Sequence, residues 1–270
     1  HDSSPLHPEA GARPAMKLSI IIPAYNEEQR LTPMLKAYGD YFLPRYGQEV
    51  EFIVVVNGSR DRTADISRAF SREHPQISTI EEKDAIGKGG AIMLGFKHAH
   101  GDLIGFADAD GSTPPEAFDD LVNHIGDAGA IIASRWFETS VVEPRQPLKR
   151  RVVSRIFNGL VRLLFGLDIW DTQCGAKVVR REVVEQILPH LGLTRWAFDV
   201  DLLFQVHRFG NPIVEWPTTW PDIGGSQLRI LKASLEMLIA IVRLRLLYSP
   251  LKWIVTLYDR TLGRYTHPSV

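Results

Sequence analysis

Asp108 and Asp110 stand one residue apart in GFADADGST (105–113), directly after the apolar run Leu103 to Ala107. Two like charges at the end of a buried-looking strand repel each other unless something positive joins them. A hard divalent cation does this: Mg2+ or Mn2+ takes oxygen ligands, commonly one or two carboxylates completed by substrate phosphates. Such an ion bridges a diphosphate and neutralises the charge that gathers on it as it leaves. The competing reading is a solvated turn, because Asp110-Gly111 is also a common turn pair.

Two further polar clusters also follow apolar runs. PAYNEE (23–28) comes after Lys17 to Ile22, and NGSRDRT (57–63) after Phe52 to Val56. The second also reads as a plain strand–turn–helix junction capped by Asp61 or Ser59. Ile86-Gly87-Lys88-Gly89-Gly90 invites comparison with a P-loop, but no Ser or Thr follows Lys88 and the earlier glycine is missing. What remains is a glycine-rich loop with one lysine beside a nucleotide.

The elements around these clusters alternate. Strands are expected at 17–22, 52–56, 77–80, 103–107 and 130–134. Helices are expected at 27–42 with a restart at Pro33, at 61–72, at 87–98, and at 114–125 with Ser112 or Thr113 as its cap. Strand–helix alternation over this length indicates a doubly wound α/β sheet. The strands lack polar alternation, which suits a mostly parallel sheet covered on both faces. Ligands of such sheets sit at the carboxyl ends of the strands, where all three polar clusters fall.

The bulk composition narrows the function. With 270 residues, 44% hydrophobic and 23% charged, the chain is globular, and a net charge of −1 gives no global reason to bind nucleic acid. Cys174 is the only cysteine, which excludes an intramolecular disulfide and a cysteine zinc cluster and agrees with a reducing compartment. No run approaches the ~18 apolar residues of a membrane span. Residues 1–15 read as a disordered leader or a foreign remnant. Arg145 to Arg155 is basic, and 152–165 interleaves Ile156, Phe157, Leu160 and Leu163 with Arg155 and Arg162. A second apolar-basic stretch spans 228–248. Both suit in-plane interfacial helices, with apolar faces in lipid and basic side chains at headgroups; ordinary packed surface helices are the alternative.

Six ordered blocks, PAYNEE, NGSRDRT, GKGGA (87–91), FADADGST (106–113), DTQCGAK (171–177) and RWAFDVDLL (195–203), resemble the family 2 inverting glycosyltransferases of GT-A fold. The resemblance covers roughly 17–227. It is closest to the dolichyl-phosphate β-glucosyltransferases of the polyprenyl-phosphate branch, with the dolichol-phosphate mannose synthases nearby. It implies a Rossmann-like GT-A catalytic domain at 16–227, an acceptor or interfacial helix at 145–166 and a C-terminal amphipathic segment at 228–270.

The resemblance also implies site residues. Pro23, Ala24, Tyr25, Glu27, Asn57, Lys88, Asp108 and Ala109 would bind the nucleotide sugar. Asp108 and Asp110 would hold Mg2+ or Mn2+. Arg135 matches a family arginine that contacts phosphate and is a catalytic candidate with Asp199; because two phosphates that repel each other need cationic positioning, one or more of Arg150, Arg151 and Arg155 are expected to join it at the acceptor phosphate. Asp199 falls where relatives that glycosylate hydroxyls keep a catalytic base; Asp199 and Asp201 also suit a helix N-terminus, where acidic groups complement the dipole. The second block departs from the family's usual Asp-Asp-Gly-Ser-x-Asp-Gly-Thr: Val56 and Asn57 replace two acids and Arg62 a glycine, which leaves UDP against GDP open.

The expected reaction is transfer of a hexose, glucose from UDP-glucose, to a polyprenyl phosphate by an enzyme peripheral on the cytoplasmic face of a membrane. The alternatives are a GDP-mannose donor, a soluble or polysaccharide hydroxyl acceptor, or a non-catalytic nucleotide-sugar-binding protein.

Overall fold

Strand β1, Leu18–Ala24, is apolar and buried on both faces. It pairs in parallel with β2, Val50–Asn57, on one side and β4, Leu103–Phe106, on the other. In the computed structural model, which describes residues 16–143, 148–192, 197–221, 230–253 and 255, these strands lie in a seven-stranded sheet. Its other members are β3, Ile77–Glu82, β5, Ala130–Ser134, β7, Lys177–Arg180, and β8, Ile213–Pro217. The order is β3-β2-β1-β4-β7-β5-β8, and β7 runs antiparallel between β4 and β5. A small second sheet pairs β6, Val141–Glu143, with β9, Thr219–Pro221. The leader at 1–15 lies outside the described residues.

The period of two along each strand sends alternate side chains to opposite layers. Ile20 and Ile22 of β1 face one layer with Leu31, Tyr38 and Phe42 of α1, Leu31–Tyr46, and Phe118 of α4, Pro115–His124. Helix α2, Thr63–Glu73, packs on that side through Ile66 and Phe70. Ile21, between them, faces the other layer with Ile92 and Phe96 of α3, Gly87–His98, Val183 of α6, Arg181–Ile187, and Phe198 of α7, Phe198–Arg208. Each such side chain contributes about 1.5–3 kcal/mol on burial. A further cluster joins Ile132 of β5 to Phe157 and Val161 of α5, Leu148–Phe165, and to Ile241 and Leu244 of α8, Ile230–Leu247.

Local chemistry explains where the element bounds differ from expectation. Helix α1 starts at Leu31, so Pro33 sits in its first turn, where the missing N–H costs nothing. Neither Ser112 nor Thr113 caps α4. The N-cap is Pro114 in extended conformation, with Pro115 next. The Ser112 amide instead binds Asp110 Oδ1 at 2.9 Å, and the Thr113 carbonyl accepts from the Tyr38 hydroxyl at 3.0 Å.

Gly89 marks the closest approach of α3 to α7: a Cβ there would lie 2.7 Å from Phe198 Cβ. Gly89→Ala therefore forces the two helices apart and should lower stability by about 1–3 kcal/mol. Urea unfolding checks this; an unchanged midpoint contradicts the contact.

Candidate active site

The loops after β1 and β2 are laced together by hydrogen bonds from backbone to side chain. Asn26 N donates to Ser59 Oγ at 3.1 Å, Glu27 N to Thr63 Oγ1 at 2.8 Å, and Glu28 N to Asp61 Oδ2 at 3.1 Å. In return Arg60 N donates to Asn26 Oδ1 at 2.9 Å and Arg62 N to Glu28 Oε2 at 3.1 Å. Asp61 also accepts from the Thr63 amide, as a capping group would. The NGSRDRT block is thus both a helix start and the bracket that fixes PAYNEE at the sheet edge.

Between these loops and the one after β4 lies a cavity of about 540 Å3. Its wall includes Pro23, Tyr25, Glu27, Asn57, Lys88, Asp108, Ala109 and Asp110, with Ala85 and Gly87. All eight were legible in the sequence; Ala85 carried no signal. Ala24 is fully buried and offers its carbonyl to Asn57 Nδ2 at 3.2 Å. Asn57 Oδ1, also buried, has no hydrogen-bond partner among the described residues. Glu27 accepts from Arg30 Nε at 2.6 Å and from Arg30 Nη2 at 2.8 Å. Burial raises its pKa, and Arg30 opposes that rise.

Asp110 does form a turn, with Gly111 at φ +73°. The turn and cation-site readings are therefore compatible. The Lys88 ammonium already sits on Asp108 Oδ1 at 2.7 Å as a counter-cation. Burial opposes the charge on Lys88, but Asp108 and Asp199 outweigh it and hold the pKa above the ordinary lysine range. Two carboxylates facing one cavity are hard oxygen donors of the kind Mg2+ or Mn2+ takes, and Lys88 would share Asp108 with such an ion. Among the described residues no three His, Cys, Asp or Glu side chains gather to hold an ion alone.

A residue that motif reading did not single out, Lys177, lies behind this cavity. Its side chain is fully buried, and its Nζ donates to Asp199 Oδ1 and to the Cys174 carbonyl, each at 2.6 Å. Burial alone would raise the pKa of Asp199; Lys177 and then Lys88 outweigh it and hold the carboxyl below its ordinary value. A charged residue opening a short buried strand, β7, was the available signal. Asp201, one turn into α7, is wholly buried and bound by Gly192 N at 2.8 Å and the Tyr248 hydroxyl at 2.7 Å. It is a packing latch as well as a helix-terminal charge. Cys174 is buried, its thiol pushed up to about 12 by burial and then by Asp171.

Contacts lead from the first cavity to a second. A Cβ on Gly175 would lie 2.2 Å from Asp108 Oδ2 and 3.4 Å from Trp220 Cη2, so only glycine admits that carboxylate. Arg135 lies over the Trp220 ring, 5.2 Å from its centre. Its Nε and one terminal nitrogen each donate to Asp171 at 2.9 Å, as does its backbone N–H. Arg135, Arg151 and Arg155 line a cavity of about 490 Å3 with Trp136, Glu138 and Glu143. An adjoining hollow of about 430 Å3 shares Trp136, Phe137 and Arg155 and adds Arg162 and Trp170. The side chain of Arg150 and residues 193–196 of the last block lie outside the described residues.

Outside these hollows α5 shows an apolar stripe, with Val152, Ile156 and Leu163 being 47%, 60% and 81% exposed. Ile239 and Val242 of α8 are exposed too, as are Leu251 and Trp253 beyond it. Among the described residues no helix is long and apolar enough to cross a membrane.

Residues 19–188 match the model of glycosyl transferase family 2. The chain is a family 2 glycosyltransferase. This glycosyltransferase is 34% identical over 244 residues to a dolichyl-phosphate beta-glucosyltransferase of Dictyostelium discoideum, covering 86% of this chain and 74% of the relative. To the Drosophila melanogaster protein of the same name it is 35% identical over 243 residues, covering 83% and 73%. Its fold is that of glucosyl-3-phosphoglycerate synthase from Mycobacterium tuberculosis, solved with Mn2+, UDP-glucose and glycerol 3-phosphate. That match has a TM-score of 0.61 at 18% identity and covers 84% of this chain and 79% of the other. The GT-A fold and the transferase class expected from the six blocks are therefore correct.

The Arg135–Asp171 pair gives a direct test. Asp171→Asn removes the bidentate carboxylate from a guanidinium that is only 14% exposed. Breaking a buried pair on one side costs about 3–5 kcal/mol. Thermal unfolding of the variant should show a correspondingly large loss.

Proposed function

We propose that this glycosyltransferase moves glucose from UDP-glucose to a polyprenyl phosphate such as dolichyl phosphate, while lying on the cytoplasmic face of a membrane. The observation that carries the reading is the arginine-lined cavity of Arg135, Arg151 and Arg155, which opens beside the exposed apolar stripe of α5. Cationic side chains next to an apolar face match an acceptor with a phosphate head and a hydrocarbon tail. The names of the two relatives support the same acceptor.

The donor lies across the first cavity. The unpartnered Asn57 Oδ1 accepts from a base N–H, a role the uracil N3–H fills. Lys88 meets the diphosphate. Asp108 and Asp110 hold Mg2+ or Mn2+, which when bound offsets the charge that develops on the departing diphosphate. The likeness to a fold solved with UDP-glucose and Mn2+ supports this donor.

Transfer is a single displacement. An acceptor phosphate oxygen attacks the anomeric carbon from the face opposite the diphosphate and forms the new C–O bond. The old C–O bond breaks with its electron pair passing to UDP, and the anomeric configuration inverts. A phosphate monoester loses its second proton near pH ~6, so the nucleophile is already anionic at neutral pH and no protein base is required. Asp199 accordingly serves here as a fixed counter-charge held by Lys177, not as a proton acceptor. The arginines hold the acceptor phosphate close to the donor diphosphate against their mutual repulsion.

Two measurements check this. Saturating UDP-glucose with Mn2+ should raise the melting temperature, at 100-fold over Kd corresponding to about 2.7 kcal/mol. Stabilisation by GDP-mannose alone overturns the donor. Arg151→Ala with Arg155→Ala should lower turnover with polyprenyl phosphate roughly 100-fold, as expected for losing two charge-assisted contacts, and leave UDP binding unchanged. Full turnover in that variant overturns the acceptor site.

A further inference from the structure

Two lysines and two acids stand in a definite pairing at and behind the cleft: Lys88 with Asp108 at 2.7 Å in its wall, and Lys177 with Asp199 at 2.6 Å behind it. The second pair is unusual for its place. Lys177 lies at the start of β7, with Phe106 of β4 and Ile132 of β5 as its register partners, in a layer where an apolar residue would pack without desolvating a charge. Its Nζ reaches the Cys174 carbonyl and Asp199, so its charge points toward the cleft.

The two pairs lie on either side of one helix contact. Gly89 packs directly on Phe198, which brings the chain neighbours Lys88 and Asp199 to one cleft, and the Asp199 carboxylate acts on the Lys88 ammonium. Asp199 is only 8% exposed, and a buried carboxylate left unpaired is costly. Without Lys177, the cation left to neutralise it is Lys88, a half-buried side chain in the first turn of α3. Arg135, the other cation whose charge reaches Asp199, is held bidentate by Asp171.

We propose that Lys177 is a positioning residue that acts through Asp199 to set the partner of Lys88. By satisfying Asp199, it leaves Lys88 on the Asp108 side of the cleft, where the donor diphosphate arrives. The inference rests on reading this cavity as the nucleotide-diphosphate site.

Titration calorimetry with UDP and Mn2+, on variants held below their melting temperatures, tests it. Lys177→Met should weaken UDP binding roughly tenfold, the scale of one charge-assisted contact. Adding Asp199→Asn to it should restore affinity to within about threefold of wild type, because nothing then draws Lys88 away; replacing both members of a buried pair is also the change a fold tolerates best. If Lys177→Met does not fold, Lys177→Gln keeps a hydrogen-bond donor toward Asp199 and should show the same loss and the same rescue. Wild-type affinity in the folded single variant overturns the inference, as does a double variant as weak as the single. Lys88→Met separates the two levels of the argument. If it leaves UDP affinity unchanged, the reading of the cavity fails; if it weakens binding while Lys177→Met does not, only the role of Lys177 fails.

Discussion

Carboxylates crowded at one sheet edge repel one another, and much of the molecule is arranged around that repulsion. Glu27, Asp108 with Asp110, and Asp199 come together from three separate segments, the first three lining the cavity and Asp199 behind it. Each has its own answer to the charge. Arg30 clamps Glu27, Lys88 covers Asp108, the Ser112 amide binds Asp110, and the buried Lys177 takes Asp199. The geometry of the cleft follows from these pairings, because each cation is held by an element of a different origin. Lys88 starts α3 and Lys177 starts β7. At the depth of Asp108 the chain opposite has to be Gly175, since any side chain would occupy the carboxylate's place.

How much of this could be read from the sequence depended on whether the signal was local. The apolar runs Ile20–Ile22 of β1, Phe52–Val56 of β2 and Leu103–Phe106 of β4 stand out, and a two-sided buried strand leaves that pattern in its own residues. The polar blocks at their ends needed only position and order to point to one edge. Lys177 left a weaker trace, a charge in a short strand, because its meaning lies 22 residues away in Asp199. The false caps at Ser112 and Thr113 fail for a related reason. Both residues fit the local cap pattern, but contacts with Asp110 and Tyr38 from outside the helix had already claimed that backbone. The orphan acceptor of Asn57 is invisible to sequence altogether, since only the fold reveals that its other end is spent on Ala24.

The apolar stripe of α5 and the exposed residues of α8 share a physical constraint with the arginine-lined cavity beside them. Apolar side chains left in water are common singly, but a row at helical spacing next to a concentration of guanidinium groups is a patterned surface. Helix α5 is also anchored inward by Phe157 and Val161, so its outward face is fixed rather than free to roll. Arg162 lies 3.9 Å from the centre of the Trp170 ring and Arg155 5.1 Å from that of Trp136, which pairs the cations with aromatic faces along the same rim.

The antiparallel strand β7 bears on how the chain folds. It fills the gap between β4 and β5, yet it follows both in sequence, separated from β5 by β6 and α5. Until residues 177–180 arrive, β4 presents a bare edge at the very strand that leads into Asp108. The centre of the sheet therefore closes late, on a contact between distant parts of the chain, and such contacts are slow to form. The pairing that covers that edge also places Lys177 in the interior. Completion of the barrier against wrong strand pairing and completion of the charge arrangement are one and the same folding event.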